Sequence, residues 1–150
     1  MMAFDETYMQ QALLLAQCAA ANAEVPVGAV VVLNNEIIGR GYNQPITLHD
    51  PSSHAEIMAL RDAAKSVANY RLLDATLYVT LEPCMMCVGA MVHARIKRVV
   101  FGAYDPKTGA AESVAQLFQS TYLNHQVEVT GGVLADACGE MLRAFFKKRR

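Results

Sequence analysis

The chain has 150 residues, of which 53% are hydrophobic and 18% charged, and its net charge is −1. That length is expected to form one domain, burying roughly 70% of its unfolded surface without disulfide support. The near-neutral charge excludes a strongly basic nucleic-acid-coating protein. The absence of an apolar run near about 18 residues predicts no membrane span, and Asp5-Glu6 stand where a secretory leader would be basic. Four cysteines, two of them in one C-x-x-C, suit a reducing, cytoplasmic setting. The apolar share is slightly above the usual one, as an additional buried surface between subunits would require.

Apolar periodicity predicts a first helix over residues 5–23, with Met9, Ala12, Leu13, Ala16, Ala19 and Ala20 in one stripe. Cys18 in this helix and Cys138 near the C-terminus are expected to be inert core thiols. Val27 to Leu33 is a β-branched run, and Asn34-Asn35, tolerant of positive φ, turns it into Glu36 to Arg40 as a hairpin. The first strand is apolar on both faces, which predicts a central position between two helical layers. Asn43 closes the hairpin. Its amide offers a donor and an acceptor, which suits a turn or the edge of a purine.

Ser52 and Ser53 introduce a helix to about Val67, with His54 in its first turn. Ser53-x-x-Glu56 also reads as a capping box, in which Glu56 would merely tie back to a backbone N–H. Thr76 to Leu81 is a second covered strand, and the preceding helix is long enough for a crossover, so that strand pair is expected to be parallel. Pro83 suits a first helical position. The helix from Cys84 to about Ala94 places Cys84 and Cys87 on one face and Val88, Met91 and Val92 in a core stripe. His93 fits the helix end better than a ligand role. Lys97 to Phe101 and Val127 to Thr130 are further strands, and a last helix runs from about Leu134 to Lys148. On that helix Phe145 and Phe146 point toward the core or toward a stacked base. Its basic end is a solvated terminus or a phosphate contact. This order predicts a three-layer α/β/α domain with a mixed central sheet covered by helices.

The chemistry lies in His54-Ala55-Glu56 and Pro83-Cys84-Met85-Met86-Cys87. Catalytic zinc takes three nitrogen or sulfur ligands and keeps a fourth position for water. His54, Cys84 and Cys87 supply three metal ligands, and Glu56 stands beside them as a proton carrier. Two helix N-termini at the site would favour thiolates. His49 is not needed as a fourth ligand. By itself the C-x-x-C is equally a redox pair or half of a structural zinc site. Joined to H-x-E, it is recognised, rather than deduced, as the signature of zinc nucleobase deaminases.

Beyond that signature the chain resembles the bacterial tRNA adenosine deaminases of the cytidine deaminase-like superfamily. Matching segments include Glu24 to Val30, His49-Asp50-Pro51, His54 to Arg61, Asn69 to Leu72, Leu77 to Cys84, Lys107 to Ala111, and Phe145-Phe146 with the basic end. The resemblance implies a cytidine deaminase-like fold over residues 1–150 as a single deaminase domain. It also implies one Zn2+ per chain, a homodimer, and conversion of adenosine to inosine at the wobble position of a tRNA anticodon arm. Asn43 would contact the target base, Ala55 would offer its backbone N–H, Asp105 would meet the substrate backbone, and Phe146 would face the RNA. Tyr104 departs from the family pattern, which carries a basic residue there. Two other readings stand beside this one: a deaminase of free guanine, cytosine or nucleosides, and a non-catalytic module with structural zinc.

Overall fold

In the computed structural model, which describes residues 3–149, the Asn34 and Asn35 turn has φ of 52° and 63°. Successive left-handed residues match the twist of a two-residue hairpin, and here they join β1 (Gly28–Leu33) to β2 (Glu36–Tyr42). With β3 (Thr76–Leu81), β4 (Arg98–Ala103) and β5 (Glu128–Thr130) they form one sheet in the order β2-β1-β3-β4-β5. β1 is antiparallel to both neighbours, whereas β3, β4 and β5 are parallel. The sheet is therefore mixed, as expected.

The expected parallel pairing of the two covered strands is corrected. α3 (Ala55–Val67) does join two strands that run the same way, β2 and β3, but β1 lies between them and pairs with β3 antiparallel. A helix of crossover length specifies direction, and the hairpin partner decides adjacency.

Alternate residues of β1 enter opposite layers. Ala29 and Val31 join Leu77, Val79, Val99 and Phe101 beneath α3 and α4 (Met85–Ala94). Val30 and Val32 join Tyr78 and Val100 beneath Met9 and Ala12 of α1 (Ala3–Ala21) and Cys138 of α5 (Ala135–Lys148). A short α2 (Pro45–Leu48) lies in the loop after β2. Close packing of α3 on the sheet needs Gly41: a Cβ there would stand 2.5 Å from the backbone of Ala55 and Ala59. The start of α3 is thereby held against the end of β2.

Cys138 is buried as expected, but Cys18 is exposed. Ala16 and Ala19 occupy the inward stripe, and Cys18 falls on the opposite side of α1. All four cysteines are free thiols. Among the described residues, no helix is long and apolar enough to cross a membrane.

α1 is tied to the far end of the sheet by Asp5, which is only 2% exposed. It accepts from the Tyr78 hydroxyl at 2.9 Å and from two Arg98 nitrogens at 2.9 and 2.7 Å, and Arg98 also donates to Thr130 Oγ1 at 2.9 Å. Burial pushes the Asp5 carboxyl up, but the Arg98 and Tyr78 bonds outweigh it and hold the pKa below its ordinary 3.8. A depressed carboxylate pKa adds stability above the unfolded value, and that stability is lost as pH falls through the folded value. Asp5→Asn is expected to cost about 2–3 kcal/mol at pH 7 by urea unfolding. The difference from the parent should shrink under acid, and an equal loss at both pH values would contradict this assignment.

Candidate active site

The carboxyl ends of β2, β3 and β4 open onto one edge of the sheet, the usual place for a ligand in an open α/β sheet. Two helices begin there, and the residue at each start carries an atom able to ligate a metal. His54 is the N-cap of α3, extended at φ −69° and ψ 156°; Cys84 is the N-cap of α4 at φ −82° and ψ 174°. Both therefore stand just outside their helices, where sequence signals put His54 in the first turn and Pro83 at the first helical position. Cys87 lies within the first turn of α4 and is fully buried.

The alternative capping box does not form. The Ser53 hydroxyl donates to the Asp50 carbonyl, and the Ala55 N–H donates to Asn43 Oδ1 at 2.8 Å. Asn43 thus serves the opening of α3, and Glu56 is free of that task while being 4% exposed.

His54 Nδ1 lies 3.6 Å from each sulfur, and the two sulfurs are 3.9 Å apart. Among the described residues, these three form the group of His, Cys, Asp or Glu side chains that could hold a metal ion. The hydrogen bond between the sulfurs, followed by that to His54, holds the Cys84 thiol down to about 4. The same sulfur–sulfur bond, together with burial, pushes Cys87 up. His54 is raised by its bond to Cys84, against the effect of burial. Burial is also the main influence on Glu56, whose carboxyl is pushed up to about 7. The arrangement offers soft anionic donors, a nitrogen donor, and a carboxyl able to take and give a proton near neutrality.

His49 ends α2 in a left-handed conformation, exposed and outside the donor group. His93 is likewise exposed on α4. Asp105 turns inward on its own loop: its carboxylate accepts from the Lys107 and Thr108 amides and from the Thr108 hydroxyl at 2.9–3.1 Å. Phe146 is 48% exposed and packs edge-on against buried Phe145. With Lys107, Leu142, Arg143, Lys147 and Arg149 it lines an open groove. Arg150, the last of the basic end, lies outside the described residues.

Sequence reasoning missed two buried carboxylates that hold the loops after β2 and β4. Glu24 accepts from the Ile46 and Thr47 amides and the Thr47 hydroxyl at 3.3, 2.7 and 2.8 Å, which fastens α2. Glu82 accepts from the opposite loop, at Asp105, Ala111, Glu112 and Ser113. The signal was present: a single carboxylate among apolar residues, next to a proline segment, is seldom buried without partners.

A family profile described as MafB19-like deaminase matches residues 4–150. A tRNA-specific adenosine deaminase of Haemophilus influenzae is 57% identical over 148 residues, covering 98% of this chain and 86% of that protein. A solved structure from work on A-to-I editing by tRNA deaminases at the wobble position of transfer RNA superposes with a TM-score of 0.88 at 42% identity, over 91% of this chain and 99% of that one. A guanine deaminase from Nitrosomonas europaea superposes with a TM-score of 0.77 at 25% identity, over 93% of this chain and 83% of that one. A profile matching nearly the whole chain and a relative of this identity over nearly its full length show that the chain belongs to the MafB19-like deaminase family, among the tRNA-specific adenosine deaminases.

Proposed function

We propose that residues 1–150 act as one zinc-dependent deaminase domain that converts adenosine to inosine at the wobble position of tRNA anticodons. The observation that carries the metal assignment is the donor spacing. Zinc bond lengths at tetrahedral angles separate nitrogen from sulfur by about 3.6 Å and sulfur from sulfur by about 3.8 Å. The separations here are 3.6, 3.6 and 3.9 Å. His54, Cys84 and Cys87 would hold the ion. Bound there, zinc would supply Lewis acidity, lowering the pKa of water from about 15.7 to about 7.

Glu56 carries the protons. It takes one from the attacking water and delivers it to the ring nitrogen beside the amine-bearing carbon. It then moves the remaining hydroxyl proton to the departing amine, so water and adenosine become inosine and ammonia. A carboxyl poised near 7 suits both directions of transfer. With Oδ1 engaged by Ala55, Asn43 has its Nδ2 end to offer to the purine edge. The Ala55 N–H, already donated to Asn43, acts on the substrate only through that side chain.

An adenosine in an anticodon loop can enter such a site at small unstacking cost, whereas a base stacked in a duplex cannot. The groove with Phe146, Lys107, Lys147 and Arg149 combines an aromatic face with cations, as single-stranded RNA requires. Asp105 contributes by bracing the loop that carries Lys107 rather than by touching phosphate. Replacing Lys107 and Lys147 by alanine is expected to raise KM for an anticodon stem-loop. It should also flatten the dependence of log KM on log salt by about 0.7 per lost contact. An unchanged salt slope would remove these residues from the RNA surface.

The chain is also read as a cytoplasmic homodimer. The outer groove between α3 and α4, lined by Ile57, Leu60, Tyr70, Ala90 and Ala94, supports a subunit contact, and 75%-exposed Met85 lies at the start of α4. Sedimentation at the mass of a single chain would contradict it.

The substrate class is tested by offering the zinc-loaded protein an anticodon stem-loop with wobble adenosine beside matched tubes of guanine, cytosine, cytidine, guanosine and adenosine. Inosine confined to the stem-loop is expected. Ammonia released from a free base instead would keep the chemistry and overturn the RNA reading.

A further inference from the structure

Glu82 stands at the end of β3, two residues before Cys84, and is 3% exposed. Its Oε1 accepts from the Asp105 amide at 3.0 Å, and its Oε2 accepts from the Ala111, Glu112 and Ser113 amides at 3.2, 2.7 and 2.8 Å. The Ser113 hydroxyl also donates to Oε1. Gly109 packs directly on this carboxylate, because a Cβ there would run into it and stand 2.5 Å from the Asp105 carbonyl oxygen. Beside it, the Pro83 carbonyl accepts from the Ala110 amide at 2.9 Å.

Apart from the Ala110 bond to the Pro83 carbonyl and the burial of Ala110 and Ala111, the loop wrapped around Glu82 is held largely by bonds within itself. After β4 ends at Ala103, residues 104–116 form turns without helix or strand. Backbone amides drawn inward in such a segment need an acceptor. One charged carboxylate serves four of them, and hydrogen bonds to an ionised acceptor are the strong kind. The same loop carries Lys107 into the groove that Phe146 and Lys147 line.

We propose that Glu82 is a positioning residue for substrate recognition: its carboxylate fixes loop 105–113 in the shape that receives the anticodon arm and ties that loop to the strand end bearing Cys84. This rests on the RNA reading given above. Glu82 lies outside the donor group of His54, Cys84 and Cys87 and would act through Gly109 and the amides of Asp105 and residues 111–113. Glutamine offers one acceptor oxygen in place of two and turns an NH2 toward donors, so Glu82→Gln should loosen the loop while leaving the site's donors in place.

The test compares parent, Glu82→Gln, Glu82→Asp and Gly109→Ala proteins, all zinc-loaded, on the anticodon stem-loop, with amide hydrogen exchange measured on the same samples. For Glu82→Gln, KM is expected to rise roughly tenfold, as loss of charge-assisted bonds to a recognition loop implies. Its kcat and metal content should stay within about twofold of the parent, and faster exchange should be confined to residues 105–113. Glu82→Asp, which keeps the charge, should recover part of the KM loss. Gly109→Ala should raise KM in the same direction with Glu82 intact, and it carries the test if Glu82→Gln does not fold. Unchanged loop exchange, or a fall in kcat or metal content with KM unaltered, overturns the proposal. If the parent makes no inosine in the stem-loop, the RNA reading has failed, and loop exchange still decides whether Glu82 fixes the loop.

Discussion

Glu56→Gln is expected to lower kcat for inosine formation by about 10²- to 10⁴-fold, the usual contribution of a positioned proton carrier, with one metal ion per chain retained. The carboxyl lies outside the His54, Cys84 and Cys87 group that could hold a metal ion, is 4% exposed, and has a pKa pushed up to about 7, chiefly by burial. Glutamine has nearly the same shape and a similar hydrogen-bonding reach, so the loss would report proton transfer and not repacking. KM for the stem-loop should change little, because Asn43 and the groove lined by Phe146, Lys107 and Lys147 are untouched. Turnover retained within a factor of a few would remove Glu56 from the chemistry. Turnover lost together with the metal would assign it to the donor set.

Cys87→Ser is expected to abolish metal retention and activity together. Cys87 is fully buried in the first turn of α4, with its sulfur 3.9 Å from that of Cys84 and 3.6 Å from His54 Nδ1. A serine hydroxyl there is shorter and remains protonated at neutral pH, so it is a poor substitute for a thiolate. Even partners that only orient a metal ligand are worth about 10- to 100-fold in affinity, and loss of a ligand should exceed that. The control is Cys18→Ser, on the exposed side of α1, which should leave metal content and turnover at parental values. Full metal content in Cys87→Ser after dialysis would place the ion elsewhere.

Much of this architecture was legible from residue type and spacing. The doubly apolar run of β1 announced a strand between two layers, and Asn34-Asn35 announced the left-handed turn that closes the hairpin. The clustering of His54, Cys84 and Cys87 was legible from the joint H-x-E and P-C-x-x-C signature, which was recognised rather than deduced. What escaped were arrangements in which side chains serve the backbone. Glu24 and Glu82 take their bonds largely from main-chain amides, which any residue supplies, so the apolar setting marks each carboxylate but the sequence does not mark its partners. Asn43 belongs to the same class, because its partner is the amide of Ala55. Cys18 was misplaced because cysteine is often buried, while alanines at 16 and 19 fill the inward stripe. Parallel pairing was misplaced because adjacency in a sheet depends on the hairpin, which a single crossover helix does not encode.

The central claim is tested most directly on full-length tRNA that carries adenosine at the wobble position, treated with the zinc-loaded protein and read position by position for inosine. Conversion at the wobble adenosine alone, with the other adenosines of the molecule unchanged, is the expected result. Inosine spread over other exposed adenosines, or none in tRNA while a free base is deaminated, would contradict it.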